Sequence, residues 1–154
     1  MIHVLFVCLG NICRSPMAEA LMRDLIEKRG LSDKIKVDSA ATSSWHVGEH
    51  PHKGTLSKLR EFHISTAGIK ARQIQKEDFE KFDYIIGMDS ANTRNIREML
   101  GQPEHPKIFR FLDLTEHKKD VPDPYYTGDF QETYDLILAG CEALMDVLLK
   151  GNNK

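Results

Sequence analysis

The chain opens on a short apolar run, His3-Val4-Leu5-Phe6-Val7, of strand length and without helical period. A run of that kind predicts a buried parallel strand. Past Pro16 the period changes. Met17, Leu21 and Leu25, with Ala18, Met22 and Ile26 beside them, make an apolar stripe at i, i+4 spacing, while Glu19, Arg23, Glu27 and Lys28 face elsewhere. This predicts a helix with Ser15 as N-cap, Pro16 in the first position and Gly30 as the stop. Residues 35–40 alternate as a half-exposed strand does, and residues 42–54 read as a loop. Leu56 and Leu59 set a helix over 55–62, and a short acidic helix is expected over 75–82. Residues 83–88 form a third strand, 90–100 a helix stopped by Gly101, and 107–112 a fourth strand. After a polar loop at 117–128, Tyr134, Ile137, Cys141, Leu144 and Leu148 mark the clearest helix, whose end frays at Gly151 and the two asparagines behind it.

Strands that alternate with helices predict an α/β fold with three layers, α/β/α. Right-handed crossovers and short loops favour a four-stranded parallel sheet of flavodoxin-like order 2-1-3-4. The switch point then lies at the carboxyl end of the first strand, beside Cys8. Asp89, after strand three, and the loop carrying Asp123, after strand four, fall on the same edge. The length of 154 residues suits one domain spanning 1–154. A formal net charge of −2 lacks the basic excess of a nucleic-acid binder, so no nucleic-acid partner is expected and any anion site must be local. No apolar run approaches the ~18 residues of a membrane span, and no leader-like segment precedes the first strand. Three cysteines are an odd count for a secreted disulfide framework. The expectation is a cytoplasmic monomer with no membrane partner.

The chemistry concentrates in Cys8-Leu9-Gly10-Asn11-Ile12-Cys13-Arg14-Ser15, between the first strand and the first helix. A loop in that place can turn its N–H groups inward around a tetrahedral anion. Gly10 lets the backbone approach closely, and Asn11 can adopt a left-handed conformation. Arg14 offers two parallel donors to phosphate oxygens, as a lysine cannot. These donors and the helix N-terminus favour a thiolate at Cys8, under the anion. Ser15 can hydrogen-bond that thiolate and help it leave in a second step. A departing aryl oxygen, with a pKa near ~10, needs a positioned acid. Asp123 fits, stiffened by Pro122 and Pro124, and can afterwards activate water. Tyr125 and Tyr126 can wall a slot for an aromatic ring. No metal and no cofactor are called for, because the loop and Arg14 already balance the phosphate.

Residues 7–19, Val-Cys-Leu-Gly-Asn-Ile-Cys-Arg-Ser-Pro-Met-Ala-Glu, together with Asp123-Pro124-Tyr125-Tyr126, resemble the low-molecular-weight protein tyrosine phosphatases. The likeness extends over Val37-Asp38-Ser39-Ala40, Trp45, Gly48, Ala71-Arg72-Gln73-Ile74 and the stretches Phe82-Asp83-Tyr84-Ile85 and Met88-Asp89. A bare C-x5-R is common by chance; C-x5-R-S after the first strand with a distant D-P-Y-Y is specific. The resemblance implies a hydrolase of phosphotyrosine-containing proteins or small aryl phosphates. It implies Cys8 as nucleophile, Arg14 as phosphate clamp, Asp123 as acid and then base, and Ser15 as thiolate partner, with Leu9, Gly10, Ile12 and Cys13 in the phosphate loop. It implies that Asn11 and Ser39 hold the loop's shape, that Asp89 orients the Arg14 side, and that Trp45, Tyr125 and Tyr126 line the substrate slot. Cys13 resembles a resolving thiol for Cys8, with buried filler as the equal alternative. Some relatives carry a histidine before Ala-Arg-Gln-Ile; Ile69 and Lys70 stand there in this chain, so that role lapses.

Other readings weigh less. His46, His50 and His52 share a loop, yet no cysteine or acidic spacing supports zinc. Cys141 lies on the last helix's apolar stripe, as a core cysteine does. An arsenate reductase would need further cysteines near strand three, and none lies between Cys13 and Cys141. Protein arginine phosphatases resemble the pattern with threonine at the position of Ile12 and without the tyrosine pair. A catalytically silent phosphate-binding module would be expected to lack Cys8, Arg14 or Asp123. No G-x4-G-K-[ST] nucleotide loop occurs.

Overall fold

The opening apolar run becomes the centre of a sheet. In the computed structural model, which describes residues 1–152, β1 (Ile2–Cys8) pairs in parallel with β2 (Ile35–Ala41) on one side and β3 (Tyr84–Gly87) on the other. β4 (Ile108–Arg110) pairs with β3 and completes the order 2-1-3-4. Alternate residues of β1 serve opposite faces. Val4, Phe6 and Cys8 enter the core shared with α1 (Arg14–Lys28) and α6 (Phe130–Asn152). Leu5 and Val7 enter the core under α4 (Ser90–Leu100). The expected three-layer architecture is observed, and Cys8 emerges on the α1 face at the point where the chain's crossovers diverge. Among the described residues no helix is long and apolar enough to cross a membrane.

Several local expectations are corrected. Ser15 does not cap α1: the helix starts at Arg14, the N-cap is Cys13, and no side chain caps it. Ser15 instead sits in the first turn with its hydroxyl 3.0 Å from the Cys8 sulfur. Pro16 costs nothing there, since first-turn N–H groups have no intrahelical acceptor. Glu19 was expected to face away from the core, yet it is buried, at 8% exposure. The acidic helix over 75–82 shrinks to α3 (Asp78–Lys81), because Asp78 accepts from the N–H of Gln75 and pairs with Arg72. α2 (Lys53–Glu61) begins two residues earlier than its apolar spacing suggests, where His52 accepts from the N–H of Gly54; Thr55, not Leu56, is its buried partner to Leu59.

The fourth strand is also shorter than its sequence suggests. Residues Phe111–Leu114 wind into a 3-10 turn that buries Phe111 and Leu112. The Phe111 ring packs on Phe6 at 5.3 Å between centroids, so burial under α6 wins over strand propensity. Within the polar 117–128 loop, Pro124–Thr127 forms a single turn, α5. α6 continues through Gly151 to Asn152, and the expected fraying at Asn153 lies outside the described residues.

Gly140 in α6 shows how closely that layer packs. A Cβ there would lie 2.7 Å from the Phe111 ring, which is fully buried and held by Phe6. Gly140→Ala should gain about 1 kcal/mol of helix propensity but meet an overpacking cost of roughly 1–3 kcal/mol. The net expectation is a destabilised protein, checked by urea unfolding of the two chains; a higher midpoint for Gly140→Ala would refute it.

Candidate active site

The loop after β1 is held from outside by its carbonyls. Cys8 O and Leu9 O accept from the N–H groups of Thr42 and Ser43, both at 3.0 Å, and Ile12 O accepts from His52 at 2.7 Å. Leu9 O also takes the Ser43 hydroxyl at 2.8 Å, and Cys13 O takes the Thr55 hydroxyl at 3.1 Å. With these carbonyls tied to neighbouring segments, the amides between them are left free for an anion. Among the described residues no backbone carbonyl accepts from the N–H groups of Leu9, Gly10, Ile12 or Cys13. Asn11 bends the loop with φ 56° and directs its own N–H to the Cys8 sulfur at 3.3 Å. Gly10 does not need positive φ. A Cβ there would come 3.0 Å from the His46 ring, so the constraint is the close passage of the neighbouring loop.

Behind the sulfur runs a buried polar chain. Ser15 Oγ lies 3.0 Å from Cys8 Sγ and accepts from Asn11 Nδ2 at 2.7 Å. The same Nδ2 donates to Ser39 Oγ at 2.9 Å, and Ser39 donates to Glu19 Oε1 at 2.6 Å. Asn11 Oδ1 accepts the N–H of Arg72 at 3.1 Å. Arg72 in turn reaches Asp38 and Asp78, and these carboxylates outweigh burial and raise its pKa above its ordinary value. Burial pushes the Glu19 carboxyl up to about 7; the Ser39 bond opposes this and the charge of Asp38 adds to it.

Arg14 closes the other side. It is 2% exposed, and both Nη1 hydrogens are taken, by Asp89 Oδ2 at 2.7 Å and by Val121 O at 2.9 Å. Nη2 reaches Asp123 Oδ2 at 3.3 Å, and Nε has no partner. One edge of the guanidinium fork is therefore available to an anion. Burial disfavours its charge, but Cys8, Asp123 and Asp89 outweigh burial and raise its pKa. Asp123 also caps α5, accepting the N–H of Tyr125 at 3.0 Å. Asp89 also caps α4, accepting the Asn92 N–H at Oδ1 while Oδ2 holds Arg14.

These residues surround one cleft of about 510 Å³, open solvent at its mouth included. Cys8, Leu9, Gly10, Ile12 and Cys13 form its floor; Trp45, His46, Asp123, Tyr125 and Tyr126 form its walls. Trp45 and Tyr126 stand at the rim, 68% and 72% exposed. Ser15, Ser39 and Asp89 do not line the cleft, and neither do Asn11 and Arg14; Ser15 touches Cys8, Ser39 touches Asn11, and Asp89 touches Arg14. Cys13 packs with Ile12, Ala71 and Phe130, and burial, then the charges of Asp123 and Cys8, push its thiol up to about 12. Cys141 is fully buried in the core, as expected, and burial raises its pKa.

Three groups around the site have no distinguishing pattern in the sequence. Glu19 looked like a surface position of an amphipathic helix. Arg72 carried no distinguishing signal beyond its place in a familiar stretch. His46 belongs to the histidine loop weighed for zinc; it pairs with Glu49 at 2.8 Å instead, and His52 stacks on Phe130 at 5.3 Å. Among the described residues no three metal-ligating side chains converge.

Comparison with known proteins agrees with this geometry. Residues 3–154 match the family model described as low molecular weight phosphotyrosine protein phosphatase. The low molecular weight protein-tyrosine-phosphatase YfkJ of Bacillus subtilis is 53% identical over 152 residues, 97% of each chain. Its crystal structure superposes with a TM-score of 0.95, covering 98% of this chain and 96% of that one. PtpA of Staphylococcus epidermidis, a protein of the same description, is 44% identical over 99% of this chain and 97% of its own. The crystal structure of a Drosophila arginine phosphatase is also similar, with a TM-score of 0.83 and 34% identity over 94% of this chain and 96% of that one.

The Glu19 carboxyl sets a sign for stability against pH. Its pKa rises from 4.5 to about 7 on folding, so the native state binds the proton more tightly than the unfolded chain. The contribution is full below ~4.5 and is lost as pH rises through ~7. Relative to Glu19→Gln, the wild type should lose roughly 2–3 kcal/mol between pH 5 and pH 8, at about 1.4 kcal/mol per unit. Urea unfolding of both proteins at the two pH values measures it; a constant difference would contradict the buried titration.

Proposed function

The chain belongs to the low molecular weight phosphotyrosine protein phosphatase family, and on that premise we propose that it hydrolyses phosphotyrosine through a phosphocysteine on Cys8, with Asp123 as general acid and then base. The observation that carries the reading is the convergence of Cys8 and Asp123 on one cleft, with a buried arginine bound to one and charge-coupled to the other. In the first step the Cys8 thiolate attacks phosphorus, the bond to the aryl oxygen breaks, and Asp123 gives its proton to that oxygen. The free amides of the loop and the free edge of Arg14 hold the phosphoryl oxygens as charge redistributes. In the second step the Asp123 carboxylate takes a proton from water, the water oxygen bonds to phosphorus, and the electron pair of the S–P bond returns to sulfur. Ser15 and the N–H of Asn11 meet that returning thiolate.

The substrates are phosphoproteins or aryl phosphates, and three features favour a phosphotyrosine ring over phosphoarginine. Ile12 adds apolar lining, Tyr125 and Tyr126 meet edge to face at 5.3 Å, and the exposed Trp45 lines the same cleft. Likeness of backbone to an arginine phosphatase does not choose between them, and these side chains support the aryl substrate. Three free cysteines support a cytoplasmic enzyme acting as one catalytic domain.

Two outcomes are expected. Cys8→Ser should abolish turnover on phosphotyrosine peptides while inorganic phosphate still protects the protein from thermal unfolding; turnover near the wild-type rate would sink the mechanism. Asp123→Ala should lower kcat by about 10²–10⁴-fold for phenols of high pKa and much less for activated leaving groups. A loss of equal size across a leaving-group series would remove Asp123 as the acid, and faster hydrolysis of phosphoarginine than of phosphotyrosine peptides would overturn the substrate.

A further inference from the structure

The loop that carries Asp123 is tied down upstream as well as at the cleft. Arg110, at the end of β4, commits every N–H of its guanidinium there. Nε and one Nη2 hydrogen reach Asp113 Oδ1 at 3.1 and 2.8 Å, and the other Nη2 hydrogen reaches Lys118 O at 2.9 Å. Nη1 reaches Asp120 Oδ1 at 3.0 Å and Ser90 Oγ at 3.2 Å. The same Asp120 oxygen accepts from the N–H of Ser90 at 2.9 Å and from its hydroxyl at 3.2 Å. Ser90 opens α4, directly after the Asp89 that holds Arg14. We propose that Arg110 is a positioning residue of the phosphatase reaction: with Asp120 and Ser90 it forms a latch that fixes where Asp123 meets the leaving group.

The latch acts on Asp123 through a stiff stretch of backbone. Residues 121–124 read Val-Pro-Asp-Pro, so Pro122 and Pro124 fix their own φ and each restricts the residue before it. Val121 is one fixed point, with its N–H on Met88 O and its carbonyl on Arg14, both at 2.9 Å. A single point is a pivot; the bonds at Lys118 and Asp120 set the direction in which the stiff arm leaves it. The Asp123 carboxyl does not set that direction itself. Its contact with Arg14 is 3.3 Å long, and its other bond comes from Tyr125, two residues on. Lys118 has φ 43°, a conformation that a residue other than glycine keeps only where its surroundings hold it, and Arg110 holds its carbonyl. Burial opposes the charge of Asp120, yet the Ser90 N–H and Arg110 outweigh burial and lower its pKa, so the latch is charged at neutral pH. Exposed ion pairs add little to global stability, so what these bonds decide is local: the position of the acid loop.

Because the role of Arg110 rests on the phosphatase reading, one arm of the test needs turnover and one does not. In the first, kcat/KM is measured for aryl phosphates that differ in leaving-group pKa. Arg110→Ala should lower it about five- to tenfold for phenols of high pKa and less than twofold for activated leaving groups, which need no acid; Asp120→Ala should do the same. The double variant should lose less than twofold beyond either single one, because both remove one latch. Inorganic phosphate should bind Arg110→Ala as tightly as the wild type. An equal loss across the series, a weakened phosphate affinity or no loss at all overturns the proposal. In the second arm, hydrogen exchange of the wild type and Arg110→Ala is compared amide by amide. The Val121 N–H should exchange at least tenfold faster in the variant, with the amides of β1 unchanged. An unchanged Val121 overturns the latch, and faster exchange across β1 as well reduces Arg110 to a general support of the fold and overturns it too. If the wild type hydrolyses no aryl phosphate, the functional reading fails, while the exchange arm still decides whether Arg110 holds the loop.

Discussion

A guanidinium buried to 2% exposure must find partners for its charge, and the arrangement of three segments follows from how Arg14 finds them. Asp89 comes from the end of β3, and Val121 and Asp123 come from the loop beyond β4. Val121 is itself pinned to that region, its N–H donating to Met88 O at 2.9 Å. The parallel sheet makes this possible, because consecutive strands of a parallel sheet all end on one edge. Arg14 begins the helix that leaves β1, so its side chain is delivered to the same edge from the sheet's central strand. Fold and site are thus one construction: three segments meet because one buried cation draws an acceptor from each loop.

The sulfur side is built on the opposite logic. Arg14 is held by two carboxylates and a carbonyl, whereas Cys8 meets the Asn11 N–H at 3.3 Å and the Ser15 hydroxyl at 3.0 Å. The tied carbonyls of the loop make that asymmetry possible, since every acceptor bound to a neighbouring segment is one withheld from the cleft. Glu19 ends the buried polar chain on the far side of Asn11, bound to Ser39. The cost is a carboxylate held in the core above neutral pH, an instance of stability given up where a site needs polarity.

How much of this was legible in sequence divides along physical lines. Strand order, the layers and the convergence of Cys8, Asp89 and Asp123 follow from periodicity and chirality, and they are found as expected. Local ends were less legible where tertiary contacts compete with propensity. Ser15 has the chemistry of an N-cap, but a nearby sulfur and Asn11 claim its hydroxyl. Phe111 and Leu112 have strand character, but a pocket under α6 claims their area. Glu19 was misplaced because helical periodicity assigns charged residues to solvent, and only the position of Ser39 on another strand reveals the buried partner. A hydrogen bond across 20 residues has no local signature.

Two carboxylates touch Arg14, and their bonding separates their capacities. Asp89 is locked twice, with a 2.7 Å contact to Arg14 and a 2.7 Å bond from the N–H of Asn92 inside a reciprocal capping box. Asp123 is held more loosely, 3.3 Å from Arg14 and 3.0 Å from the Tyr125 N–H, on a one-turn helix at the cleft wall. Its contact with Nη2 lies on the side of the fork that an incoming phosphate would claim, so anion binding and release of the Asp123 oxygen are linked. The two carboxylates therefore differ in constraint: Asp89 is tied at both oxygens to Arg14 and the helix end, while Asp123 is held by a longer contact at the cleft wall.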